Sequence, residues 1–273
     1  MSFASPFAIS IFAIVAASLL GLPVGHAMIA GSILYLLLAG LDMATAAEQI
    51  LNGMYTSYLL LAVPLFIFSA EIMNTGSMTD RLLRFCNAIV GRFPGGLAHV
   101  NVVQSIIFAG MSGSAIADAA GSGKMMQDMM TKDGKYPPAF AAALTAATAV
   151  IGPIIPPSIP MIIYGLVTET SIVDLFAAGF GPGILLTVVL SAYAVWFNRK
   201  RPSEAFSLHE FLTAFRRGIW AVLMPVIMLG GIYSGYFTAT EAAAVALAYS
   251  VVIEIFVHRE LKLVDFYKVV LEA

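Results

Sequence analysis

Two segments break an otherwise apolar chain at points where its backbone should be helical. The first is Gly110-Met-Ser-Gly-Ser-Ala-Ile-Ala-Asp-Ala-Ala-Gly-Ser-Gly123, a run of tiny and hydroxylic residues. The second is Gly152-Pro-Ile-Ile-Pro-Pro-Ser158, with three prolines in five positions. Each proline removes a backbone N–H and disfavours helix at the residue before it. The surrounding sequence is that of a membrane protein. Of 273 residues, 60% are hydrophobic and 11% charged, and the mean hydropathy is +0.90. Soluble domains carry about 25% charge. An unpaired carbonyl is costly in lipid, so both breaks must be buried in protein or must spend their free oxygens on a ligand. Broken helices near the bilayer midplane are how many secondary transporters bind sodium and substrate.

The apolar runs set the organisation. Phe7–Leu20, His26–Leu38, Tyr55–Met73, Leu175–Phe197, Ile219–Phe237 and Glu241–Phe256 are near the roughly twenty residues that cross a bilayer. Met1–Pro6 lacks the basic start of a cleaved signal peptide, which predicts that the first run is a retained helix. Leu41–Gly53 is weakly amphipathic. In Thr79–Arg92, Leu82, Leu83, Cys86, Ile89 and Val90 recur at helical spacing opposite Asp80, Arg81 and Arg84, which predicts an interfacial helix ended by Phe93-Pro-Gly-Gly96. Leu97–Ala109 is short for a crossing. The chain is expected to run in to Ser112–Ser114 and return on the same side, through Met129, to the polar loop Thr131–Lys135. Ala139–Ile151 and Ile159–Val167 are then half-helices flanking the proline break. A basic cluster (Arg199, Lys200, Arg201), an amphipathic stretch Ser207–Arg217 and an interfacial segment Leu261–Leu271 complete the chain.

The charges test this layout. With the N-terminus outside, Arg81, Arg84, Arg92, Lys132, Lys135, the five basic residues from Arg199 to Arg217, Arg259 and Lys262 share the cytoplasmic side. The external loops, near Asp42–Thr56, Thr168–Asp174 and Tyr233–Thr240, contain no Lys or Arg, a positive-inside pattern. A net charge of −2 gives no reason to expect nucleic acid, and the lone Cys86 excludes an internal disulfide and reads as a small buried apolar residue. The series Phe7–Leu20, His26–Leu38, Asp42–Gly53 recurs, in opposite orientation, as Ile219–Phe237, Glu241–Phe256, Leu261–Leu271. This is the pattern of an inverted-topology repeat.

With these residues in view the chain resembles the large membrane subunit of TRAP transporters, the tripartite ATP-independent periplasmic systems. The resemblance rests on Gly110–Gly121, on Gly152–Ser158 and on Thr238-Ala-Thr-Glu-Ala-Ala-Ala-Val245, and extends along the whole chain. It implies an all-α polytopic protein of elevator type, with inverted repeats, a re-entrant helical hairpin and a broken helix. Residues 1–78 would be scaffold spans of the first repeat and 79–93 an interfacial arm helix. Residues 94–135 and 136–168 would form the hairpin and broken helix of a transport domain. Residues 169–218 would be a span and cytoplasmic connection, and 219–273 the start of the second repeat. Family members carry a second hairpin and broken helix, so the expectation is a truncated form with its second repeat incomplete. The family further implies sodium-driven import of organic acids across a bacterial inner membrane. A periplasmic binding protein delivers the substrate, a small four-helix membrane subunit is a partner, and no organic cofactor takes part.

The residues suggest how. Ser112, Gly113 and Ser114, at the expected hairpin turn, offer hydroxyls and carbonyls, hard ligands for an alkali cation, and Gly113 permits the backbone geometry. Gly152, Pro153, Pro156 and Pro157 should unwind the opposing helix and free its carbonyls. Two such loops face to face could form one sodium site. A half-helix starting near Ser158 would aim its positive end at a substrate carboxylate, with Ser114 and Ser158 as substrate contacts. The plainer alternative is that Gly110, Ser114 and Ala119–Gly123 are a close helix-packing surface. Asp118, one turn after Ser114, either braces the hairpin or lies near the cation. Lys124 and Asp128 have the spacing of a helical pair. Thr238 and Glu241 form a capping box, with contact to a partner subunit or lipid as the alternative.

His26, His99, His209 and His258 are scattered without metal-ligand spacing. Gly110-Met-Ser-Gly113 matches the Gly-x-Ser-Gly of intramembrane serine proteases, but that chemistry needs a histidine base beside the serine, and no enzyme is expected. Divalent-anion/sodium symporters share the hairpin plan with different motifs. A non-transporting scaffold, truncated or split, is the remaining alternative.

Overall fold

A computed structural model of the chain describes residues 5–56, 58–199 and 207–261, together with 266, 269 and 270. Lys200, Arg201, Lys262 and most of the expected segment Leu261–Leu271 lie outside the described residues. The protein is an all-α polytopic membrane protein, and no strand occurs among the described residues. The chain divides into two compact units, the first ending at Tyr58 and the second beginning at Leu59.

The first unit holds three helices. Helix α1 (Pro6–Leu19) starts with proline at its first position, and the Ser5 hydroxyl accepts the Ala8 N–H at 3.2 Å. Helix α2 (Val24–Ala39) stops at Gly40, which takes the left-handed conformation. The two pack closely at Gly31, where a Cβ would come within 2.2 Å of Ile14 Cγ1. Helix α3 (Ala44–Thr56) begins where Asp42 Oδ1 accepts the Ala44 N–H at 3.0 Å. Helix α1 has 14 residues, as many as the run Phe7–Leu20, and α2 has 16, more than the run His26–Leu38. A rise of about 1.5 Å per residue leaves them well under a hydrocarbon core of about 30 Å. Four helical stretches are long and apolar enough to cross: Tyr58–Thr75, Ile172–Asn198, Leu208–Tyr233 and Ala239–His258.

The second unit carries the main core. After a 3-10 turn at Tyr58–Leu61 come α4 (Ala62–Thr75) and α5 (Met78–Val90). Helix α5 buries Leu82, Leu83 and Cys86 of the apolar face read from the sequence, leaves Ile89 and Val90 of that face partly buried, and buries Phe85 as well, while Asp80 and Arg84 pair at 2.8 Å. Helix α6 (Gly96–Ser112) runs from the left-handed Gly95 to the left-handed Gly113. It packs against a second helical limb made of α7 (Ala115–Ala117), a π-helical turn (Asp118–Ser122) and α8 (Gly123–Thr131). Helices α9 (Pro138–Ala149) and α10 (Ile159–Thr168) flank the proline segment, which is not helical. Phe66, Phe108, Met111, Met126 and Met130 fill the space between these elements.

Three boundaries differ from expectation. Helix α11 (Ile172–Asn198) begins inside the loop expected at Thr168–Asp174, because the Ser171 hydroxyl caps it by accepting the Asp174 N–H at 3.3 Å. Helix α12 (Leu208–Tyr233) is continuous where a separate amphipathic stretch Ser207–Arg217 was expected before the span. The Gly218 at the junction is a packing residue rather than a break: a Cβ there would lie 2.9 Å from Phe85 Cβ and 3.2 Å from the Arg81 carbonyl, so α12 and α5 touch backbone to side chain. At its other end α12 stops at Tyr233, short of Phe237, because Gly235 turns left-handed. Helix α13 (Ala239–Val252) continues as a π-helical turn (Ile253–His258).

Candidate ion and substrate site

The hairpin tip is built by local capping. Gly113 closes α6, donating its N–H to the Ala109 carbonyl at 3.1 Å with φ near the left-handed value of 62°. The Ser114 hydroxyl then starts α7 by accepting the Ala117 N–H at 3.3 Å, and the Ser114 N–H donates to Ser112 Oγ at 3.4 Å. Ser112 is fully buried and Ser114 half-buried. Facing it, Ser158 starts α10. Its hydroxyl accepts the Met161 N–H at 3.3 Å and donates to the Pro153 carbonyl at 2.7 Å, tying the proline segment into a closed loop.

The two segments are in contact. The Ile159 N–H donates to the Gly113 carbonyl at 3.3 Å. A Cβ on Gly113 would come within 2.4 Å of the Pro157 carbonyl oxygen, and one on Gly152 within 3.1 Å of the Ser114 carbonyl carbon. Around the loop, the carbonyls of Gly152, Ile154, Ile155, Pro156 and Pro157 accept no hydrogen bond among the described residues. Helix α11 presses on the same loop through its glycines: a Cβ on Gly179 would lie 2.5 Å from the Ile154 oxygen, and one on Gly183 2.5 Å from Ile155 Cγ1. The prolines thus leave a concentration of unpartnered hard oxygens beside a hydroxyl-rich turn. The start of α10 is different. The Ile159 amide is used by Gly113, Pro160 has none, and the Met161 amide is used by Ser158, so an anion approaching here would meet the helix dipole rather than these N–H groups.

Asp118 joins the limbs of the hairpin. It is buried in the π-helical turn, and its Oδ1 accepts from Gln104 Nε2 at 3.2 Å and from Ser122 Oγ. Gln104 Nε2 also donates to Ser122 Oγ at 2.6 Å. Asp118 Oδ2 and Gln104 Oε1 remain without a partner. Ser122 lies four residues after Asp118, the spacing of helical neighbours, within a π-turn of a kind frequent at functional sites. The small residues also serve as a packing surface: a Cβ on Gly121 would collide with Asn74 Nδ2, and one on Gly123 would sit 2.7 Å from Thr145 Cγ2. Lys124 and Asp128 form no ion pair. Far from the hairpin, Thr238 and Glu241 form the expected capping box: the Glu241 N–H donates to Thr238 Oγ1 at 3.3 Å and the Thr238 N–H to Glu241 Oε2 at 2.8 Å.

Sequence reasoning missed two buried polar groups. Asn101 bridges α6 to α9, donating to Thr145 Oγ1 at 2.9 Å and accepting from Thr148 Oγ1 at 2.9 Å. The signal was present, since Asn101 and Gln104 are amides one turn apart in an apolar run, and Thr145 and Thr148 repeat that spacing. The second group is Glu254, fully buried on the last turn of the α13 run. Its Oε1 accepts the Met78 N–H at 2.7 Å, supplying the cap that Ser77 does not give α5. Its Oε2 lies 3.3 Å from His258 Nδ1, which is also 3.3 Å from Ser77 Oγ. Arg81 extends the network, donating to Ser77 Oγ at 2.9 Å and pairing with Glu260 at 2.9 Å.

Comparison with known proteins places these features in a family. The family model described as "Tripartite ATP-independent periplasmic transporter, DctM component" matches residues 11–273. The chain is 41% identical over 257 residues to the sialic acid TRAP transporter permease protein SiaT of Haemophilus influenzae, covering 93% of this chain and 42% of that protein. It is 40% identical over 257 residues to the sialic acid TRAP transporter large permease protein SiaM of Vibrio cholerae, covering 93% of this chain and 60% of that one. Against the C4-dicarboxylate TRAP transporter large permease protein DctM of Pseudomonas aeruginosa, identity is 44% over 219 residues, covering 79% and 51%. The chain spans about half the length of these curated relatives.

Proposed function

This chain belongs to the DctM family of tripartite ATP-independent periplasmic transporters, and we propose that it forms part of a permease importing organic acids by sodium coupling. The observation that carries the reading is the proline loop. Its carbonyls at Gly152, Ile154, Ile155, Pro156 and Pro157 have no hydrogen-bond partner among the described residues, and it is tied to the hairpin tip through Ile159 and Gly113. Unpaired carbonyls in an apolar environment are stable only if something polar occupies them. Sodium, entering as co-substrate, suits uncharged oxygen ligands, and Ser112 and Ser114 add hydroxyls from the opposite side. A bound cation offsets the negative ends of these dipoles and favours the approach of a carboxylate, to which the start of α10 adds its positive end. Ser114, half-buried at the tip, is the substrate-side contact in this scheme, and Ser158 holds the loop in shape.

The substrate class rests on the relatives, whose names specify sialic acid and C4-dicarboxylates, both carboxylic acids. In the proposed cycle the hairpin (94–135) and broken helix (136–168) shift together against the scaffold spans. A periplasmic binding protein supplies the acid and a small four-helix membrane subunit completes the permease. The assembly sits in the bacterial inner membrane with the N-terminus of this chain in the periplasm. The test is uptake by the full-length permease reconstituted with its partners in proteoliposomes. Ser114→Leu should abolish most sodium-dependent uptake while leaving the amount of folded protein nearly unchanged. Uptake with unaltered sodium dependence would overturn the assignment.

A further inference from the structure

One face of α12 carries a polar stripe that the transport reading does not use. His209, Thr213, Arg216, Arg217 and Trp220 recur at helical spacing and all line one crevice of about 540 Å³, which Arg81 of α5 closes from the other side. No carboxylate lines this crevice among the described residues. The acids Asp80, Glu210 and Glu260 line an adjoining cavity that shares Arg81, His209, Thr213 and Arg217 with the crevice. Asp80 is paired with Arg84, and Glu260 with Arg81. Arg216 and Arg217 are both exposed and have no carboxylate at ion-pair distance among the described residues. Two unpaired guanidiniums side by side match the oxygens of a phosphate, because each presents a planar fork of donors.

The level of the crevice along α12 says what kind of phosphate. The stripe ends at Trp220, after which α12 continues Ala221-Val-Leu-Met224. An indole at that transition is a marker of the boundary between headgroups and hydrocarbon. Trp220 is partly exposed, and the other apolar lining residues, Leu212 and Val257, are exposed as well. Leu212 lies one turn before Arg216 and Trp220 one turn after it, so in the direction of the apolar run of α12 the two guanidiniums are followed by an exposed indole, the succession found in a phospholipid and lacking in a soluble anion. We propose that this crevice between α12 and α5 binds the phosphate headgroup of an anionic phospholipid, with Arg216 and Arg217 on the phosphate and Trp220 beside the start of the acyl chains.

The test reads lipid occupancy rather than uptake, so its outcome is separate from that of the transport assignment. The full-length permease is delipidated and titrated with equimolar dioleoylphosphatidylglycerol and dioleoylphosphatidylcholine, and retained lipid is counted by native mass spectrometry. Wild-type protein should retain the anionic phosphatidylglycerol preferentially. Arg216→Gln with Arg217→Gln should lower that preference about tenfold or more, in line with the attraction of each basic side chain to an anionic surface. Thr213→Glu, at an exposed position on the same stripe, should do the same by adding a carboxylate, and it provides the answer if the double variant fails to fold. Equal retention of the two lipids by wild type, or an unchanged preference in Thr213→Glu, would overturn the proposal. So would displacement of the lipid by millimolar inorganic phosphate with phosphate retained in its place, which would make this a site for a soluble anion.

Discussion

The Ile159 amide donates to the Gly113 carbonyl at 3.3 Å, so the first residue of the second half-helix is anchored on the turn of the hairpin. The proline loop and the hairpin tip share a backbone hydrogen bond that neither can replace from water. In an apolar setting its loss would leave two unpaired groups, which favours the two elements moving together.

Gly113 is the most sensitive point of this junction. Gly113→Ala places a side chain in the left-handed region, at about 1–2 kcal/mol. It also drives a Cβ to 2.4 Å from the Pro157 oxygen. Gly134→Ala is the control, because Gly134 is likewise left-handed but has open space around its Cβ position. Thermal unfolding of the two variants should show a clearly larger loss for Gly113→Ala, accompanied by loss of uptake. Equal losses would mean that only backbone strain matters at Gly113.

Gln104 holds the buried Asp118 carboxyl and Ser122 together through one amide nitrogen. Gln104→Leu keeps approximate volume but removes that donor. It should cost about 1–3 kcal/mol in unfolding free energy, the penalty for leaving a buried polar group unsatisfied. Denaturant unfolding of the purified permease measures it. Gln104→Glu should be worse, since it places a second acid beside Asp118.

Glu254 caps α5 from a residue 176 positions away in the chain. Glu254→Ala leaves the Met78 N–H buried without an acceptor and opens a void next to Gly76, whose Cβ position is occupied by the Glu254 carboxylate. A loss of about 2–4 kcal/mol is expected from the lost bond and the cavity together. Glu254→Gln retains an acceptor and should lose less. Hydrogen exchange should show the amides at the start of α5 opening first in the alanine variant.

The outer edge of that network gives a pH dependence. Glu260 has its carboxyl held below the usual range, chiefly by a hydrogen bond from Ser77, which burial opposes, with Arg81 and His258 adding to the lowering. A lowered folded-state pKa contributes stability that is complete above the ordinary carboxylate range and is lost as pH falls through the folded value. The effect should stay under about 1 kcal/mol, because the pair is solvent-screened. Comparing acid unfolding of wild type and Glu260→Gln isolates it. The variant should be slightly less stable at neutral pH and should converge with wild type in acid.

What the sequence made legible was local chemistry. Prolines at 153, 156 and 157 stop a helix wherever the chain goes, and Gly113 marks a left-handed turn from its own covalent structure. The Thr238–Glu241 box was readable because both halves lie within one turn. Partners far apart in sequence were not readable. Glu254 looked like an unremarked acid in an apolar span until Met78 was placed beneath it, and Gln104 gained its role only when Asp118 folded back across the hairpin. The stretch Ser207–Arg217 was read as separate from the run that follows because nothing local shows that Gly218, between them, admits a neighbour rather than bending the chain. The choice was made by Phe85, which no local pattern connects to it.

The bond from Ser158 Oγ to the Pro153 carbonyl has a bearing on ion choice. It fastens the ends of the proline loop to each other, and two of the four residues between them, Pro156 and Pro157, are already stiffened by their rings. The oxygens of the loop therefore hold their mutual distances before any ion arrives. For the sodium ion proposed above such a loop would act as a gauge: an ion that fits would need no rearrangement, whereas a larger one would have to stretch bonds that folding has fixed. Discrimination between sodium and potassium at this point would then be a property of the tether, and Ser158→Ala would loosen the gauge without removing a single carbonyl.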